Sequence, residues 1–125
     1  MQPATIKGLD FIILPTQDKN RAVGFYHDTL GLEIDSHWGD RGVEFKLGSG
    51  LTLAVADTAA IGRSFAAHTA GAIALGVEDV DAAVQALQAK GVTFEGDIID
   101  SGVCKMAFFN DPDGNSLMLH HRYAP

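Results

Sequence analysis

Residues 11–34, FIILPTQDKNRAVGFYHDTLGLEI, and residues 72–94, AIALGVEDVDAAVQALQAKGVTF, follow one pattern twice. Laid over each other, Asp18 meets Asp79, Ala22 meets Ala83, Val23 meets Val84 and Tyr26 meets Leu87, and one gap brings Gly31 onto Gly91. Internal repetition of this kind restricts the chain to folds built from two like units. In each copy an apolar strand runs into an Asp, whose carboxylate can accept from the free backbone N–H groups of the next turn, so both Asp residues read as helix N-caps. The second copy then shows Val80, Ala83, Val84 and Leu87 at i, i+3, i+4 and i+7, the stripe of a helix with one buried face. Gly91 after Lys90 suits a left-handed C-cap, where a side chain would clash. The first copy uses Val23, Tyr26 and Leu30 in the same way, with Gly31 as its stop.

Beyond each helix the sequence predicts short strands: Leu32 to Ser36, Val43 to Leu47 and Leu51 to Ala56, then one from Thr93 through Phe94 with its end left open, Val103 to Phe109 and Ser116 to His121. In DPDGN, Pro112 fixes one φ and Gly114 permits another, as a tight turn requires. The expectation is an α+β fold of two βαβββ modules, 5–56 and 71–122, joined by a linker at 57–70 that carries one helical turn. At 125 residues the two fit one domain spanning 1–125.

Side chains alternate across a strand, so each strand divides into two faces. Ile73, Leu75 and Val77 form the bulky face of one strand, and Ala72, Ala74 and Gly76 the small one. In the last strand Leu117 and Leu119 oppose Ser116, Met118 and His120. The bulky faces are expected on the helices, leaving a curved mixed sheet with a concave cleft lined by small and mixed residues. In the first module the cleft face is expected to carry Phe11, Ile13, Val43, Phe45, Leu51, Leu53 and Val55, with Glu44 and Lys46 on the opposite side. Pairing Phe108 with Met118 across the last hairpin puts Met106 opposite His120 and Cys104 opposite Arg122, so that Cys104, Met106, Met118 and His120 share one face. A slip of one residue would reverse that assignment.

Composition narrows the partners. Nine Lys and Arg against sixteen Asp and Glu give a formal charge of -7, which disfavours nucleic acid and anionic membranes. One cysteine allows no intrachain disulfide, and no apolar run approaches the roughly 20 residues of a membrane span. The expectation is a cytoplasmic protein. Neither a phosphate-cradling glycine loop nor zinc-type Cys/His spacing is present.

The repeat, together with NRAVGFYHDTLGLEI and AFFNDPDGNSLML, resembles the vicinal oxygen chelate superfamily of glyoxalase I, extradiol dioxygenases, fosfomycin-resistance enzymes and bleomycin-resistance proteins, over roughly Ile6 to Arg122. In metal-dependent members the ligands come from the first and last strands of each module, positions that fall here on Phe11, Leu53, Ala72 and Met118. Phe, Leu and Ala offer no lone pair, and a thioether suits only soft metals. The resemblance therefore points to the metal-free, bleomycin-resistance-type branch. It implies a small-molecule binder with no cofactor, in which Trp38 stacks on a planar drug at the mouth of a cleft lined by Phe11, Phe45, Leu53, Ala72, Met106, Phe108, Met118 and His120. It also implies a homodimer, with modules paired within a chain or swapped between chains. The alternative is an enzyme of the same fold, a lyase, isomerase or dioxygenase with displaced metal ligands or a metal-free catalyst. His120 is then the candidate base and Cys104 the candidate nucleophile.

Overall fold

The computed structural model describes residues 4–48 and 50–125. Strand β1 (Phe11–Pro15) leads into helix α1 (Lys19–Val23), which continues as a π-helical stretch over Gly24–Thr29, and then into β2 (Ile34–His37), β3 (Gly42–Lys46) and β4 (Thr52–Ala56). A 3₁₀ turn at Thr58–Ile61 opens the connection to β5 (Ile73–Gly76), α2 (Val80–Ala89), β6 (Phe94–Asp100), β7 (Cys104–Asn110) and β8 (Ser116–Arg122). The two βαβββ units expected from the repeat are therefore present. Each forms a four-stranded mixed sheet, in the orders β1-β4-β3-β2 and β5-β8-β7-β6. Among the described residues no helix is long and apolar enough to cross a membrane.

The local signals act where the sequence puts them. Asp18 accepts from the Arg21 N–H and Asp79 from the Ala82 N–H, each at 3.0 Å. The π-helical stretch was not foreseen. Its wider turn, closed by the Leu30 N–H on the Phe25 carbonyl, directs Tyr26 fully into the interior while Phe25 packs edge-on beside it, ring centroids 5.2 Å apart.

Both helices lie between the sheets. α1 packs on β3 and β4, α2 packs on β6, β7 and β8, and Phe25 reaches Phe109 of the other unit at 6.3 Å. Leu14, Phe45, Leu53 and Val55 of the first unit thus join Val84, Phe109, Leu117 and Leu119 of the second in one buried cluster. Full burial of a Leu or Phe contributes about 1.5–3 kcal/mol, so this shared core dominates the stability of the pair.

At one end the units are latched by the DPDGN turn. Asp111 is 5% exposed, and its carboxylate accepts from the backbone N–H of Asp113 and Asn115, the Asn115 amide and the Tyr26 hydroxyl at 2.6–2.9 Å. Hydrogen bonds to a charged group contribute about 1.5–3 kcal/mol each, enough for four of them to offset the several kcal/mol of desolvating it. Asp113 accepts from Thr16, the Gln17 N–H and the Arg21 guanidinium, and Asn115 donates to the Pro15 carbonyl. Burial, followed by the charge of Asp111 and its hydrogen bond, raises the Tyr26 hydroxyl far above the ordinary tyrosine range, so it remains the donor.

Candidate functional site

With the helices between the sheets, the opposite face of each sheet looks outward. Register fixes what those faces carry. On the second sheet, one row runs Ala74, Met118, Phe108, Glu95 and the next Gly76, His120, Met106, Ile99, followed by the pair Arg122 and Cys104. The hairpin pairing read from DPDGN is the one observed, so Cys104, Met106, Met118 and His120 do share a face. Met106, Phe108, Met118 and His120 are half-buried, while Ala74 and Gly76 beside them are exposed and add little side-chain bulk. Ala72 lies just before β5, on the same parity as Ala74. Cys104 is 9% exposed, and its Sγ lies 3.1 Å from the Ser101 hydroxyl. His121 is opposite Lys105 and belongs to the other face.

On the first sheet the outer rows are Phe11, Thr52, Lys46 and Ile13, Ala54, Glu44, Ser36. Phe45 and Leu53, expected to line the cleft, do not: both are 0% exposed. Leu53 stands beside Ile12 and opposite Phe45, and the parity that sends Ile12 and Leu14 toward the helices sends both inward. Val43 and Val55 go with them, and Phe11 and Ile13 keep the outer side. Glu44 is correspondingly on the outer face. Its carboxylate accepts from Trp38 Nε1 at 2.8 Å and from the Thr52 hydroxyl at 2.9 Å. Trp38 in turn meets Phe11 edge-to-face at 6.3 Å. The result is a half-buried carboxylate fixed among aromatic and small side chains, with no cation within ion-pair distance among the described residues. Alternation in GVEFK carried this signal, because a strand backing onto helices turns its bulkiest residues toward them.

Of the four positions at which the resemblance implies metal ligands, Phe11, Ala72 and Met118 keep the outer parity while Leu53 is turned inward, and none is a carboxylate or an imidazole. Among the described residues of one chain no three His, Cys, Asp or Glu side chains converge on a point. A cavity of about 620 Å³ lies elsewhere, between the units at the end away from the latch. It is lined by the inner-face residues Ile12, Leu30, Leu47, Leu75, Leu87 and Leu119, with two lysines and no carboxylate, imidazole or thiol. This is a gap in the shared core, and the groups with chemistry are on the outer faces.

Two βαβββ units packed through their helices, each with an open sheet face, define a class of paired-module proteins. The chain belongs to the Glyoxalase/Bleomycin resistance protein/Dioxygenase superfamily, whose profile matches residues 8–119. Among solved structures it is similar to TnmS3, an antibiotic binding protein from Streptomyces sp. CB03234, at 24% identity and a TM-score of 0.78, covering 96% of this chain and 99% of that one. It is also similar to a lactoylglutathione lyase from Agrobacterium tumefaciens, at 21% identity and a TM-score of 0.77, over 93% and 94% of the two chains. A superfamily member from Sphaerobacter thermophilus aligns at 27% identity and a TM-score of 0.74, over 92% and 97%. No curated protein is detectably similar.

Proposed function

We propose that this protein binds a small molecule without the help of a divalent metal, in a cleft closed by two copies of the chain. The carrying observation is the pair of outer sheet faces. Each is half of a pocket wall, one bearing Phe11, Trp38 and Glu44 and the other Met106, Phe108, Met118 and His120. Within one chain these faces point away from a common core, so closure requires the first sheet of one copy over the second sheet of another. A two-fold axis then makes two equivalent clefts, the isologous arrangement most common among dimers. The acid on one face and the Arg122 of the other are complementary in charge. The similarity to an antibiotic binding protein supports sequestration of a drug or metabolite, and the apolar residues at the usual ligand positions support it over metal-assisted chemistry.

The test is a thermal-shift panel of antibiotics, cationic glycopeptides included, followed by Trp38 fluorescence titration and metal analysis of chelator-free protein. Saturable binding of about one ligand per chain by metal-free protein is expected. Stoichiometric Zn, Ni, Fe or Mn with an activity depending on it would overturn the reading. An enzymatic alternative rests on His120, central on its face and opposite Met106. If His120→Ala abolishes turnover of the identified ligand and leaves its binding intact, catalysis replaces sequestration.

A further inference from the structure

We propose that Met106, Met118 and His120 form a binding site for a soft monovalent ion, Cu(I) or Ag(I), on the outer face of the second sheet. The chain holds three methionines and one cysteine, and every one of these sulfurs beyond Met1 belongs to the same face of β7 and β8. Met106 stands directly opposite His120, and Met118 precedes His120 by two residues on the same strand. Directly opposed residues on a sheet face place their Cβ atoms roughly 4.5–5.5 Å apart, and same-face neighbours along a strand are roughly 6.5–7 Å apart. Two thioethers on flexible stems and one imidazole at such spacing can meet above the sheet at a single ion. Nothing crowds that point from the side of β5, where Ala74 flanks Met118 and Gly76 flanks His120, and a Cβ at Gly76 would meet nothing within 4 Å.

The donor chemistry selects the ion. Thioether sulfur and neutral imidazole suit Cu(I) and Ag(I), while Zn, Mn and Mg favour imidazole sets or anionic oxygen that this face does not bring together. Cys104 stands outside the triad: it is paired with Arg122 one step further along, and its Sγ is engaged by Ser101. The site stands on the register of β7 and β8 and does not depend on a second copy.

The test titrates the full chain anaerobically with Cu(I) against bathocuproine disulfonate, and with Ag(I) by NMR of methyl-labelled methionine. About one ion per chain is expected to bind, moving both methyl resonances. Met106→Leu and Met118→Leu conserve volume and keep the fold, verified by an unchanged Tm. Each is expected to weaken binding by roughly tenfold or more, since even losing an outer partner of a metal ligand costs that much. His120→Ala is expected to do the same, and Cys104→Ser to leave the affinity unchanged. Failure to compete at micromolar Cu(I) overturns the site. So does loss of binding in Cys104→Ser with both methionine variants intact, which would assign the ion to the thiol.

Discussion

At the scale of single residues, Tyr26 and Asp111 join the two units through one buried hydrogen bond of 2.6 Å. Tyr26→Phe keeps the ring and leaves one Asp111 oxygen with Asn115 alone, so urea unfolding near neutrality is expected to show a loss of about 1.5–3 kcal/mol. The effect has a defined pH dependence. Because the folded hydroxyl holds its proton well above the ordinary value near 10, the unfolded chain loses that proton first. The contribution is complete below about pH 10 and declines as pH rises further. The gap between wild type and Tyr26→Phe is therefore expected to be constant up to about pH 9 and to narrow above pH 10, and a constant gap at pH 11 would contradict the assignment. From sequence, Tyr26 was legible as a helix-stripe residue and Asp111 as part of a turn. Their union was not, because it is a contact between residues far apart in the chain, and neither local pattern encodes it. Glu44 was missed for a different reason. A strand with bulky residues on one side and charges on the other normally buries the bulky side, and here the helices, not a ligand, cover it.

At the scale of elements, strand β3 must run close to β4. A Cβ on Gly42 would lie 2.8 Å from the Ala56 Cβ and 3.0 Å from the Val55 carbonyl oxygen. Gly42→Ala is expected to cost about 1–3 kcal/mol through overpacking. Gly76→Ala, where the added methyl meets open space, is expected to be neutral or to stabilise by up to about 1 kcal/mol through the unfolded chain. Equal destabilisation of both by urea titration would refute the close approach. The elements themselves were largely readable. N-caps at Asp18 and Asp79, left-handed φ at Gly31 and Gly91, and the β7–β8 register all follow from local chemistry. The π-helical turn and the length of β6 were not, since hydrogen-bond phase within a helix and the bulge between Glu95 and Ile99 leave no periodic trace.

At the scale of the whole molecule, the repeat identifies the fold but leaves open which faces of its two sheets meet. That depends on whether the helices pack outward or against each other, and both arrangements satisfy the same pattern. Here they share one core, so the residues bearing chemistry lie on two outward faces of one chain. The central claim, a ligand cleft composed from two copies, is tested most directly by complementation. Phe11→Arg blocks the first-sheet face and Ala74→Arg the second, both at exposed positions, so each homodimer loses both clefts. Co-refolded, random assortment makes half the dimers hybrids, each with one doubly blocked cleft and one intact cleft, which restores about a quarter of the sites. Titration of that mixture with the ligand selected by thermal shift is predicted to recover about a quarter of wild-type binding. A mixture that binds no better than either variant alone would contradict it.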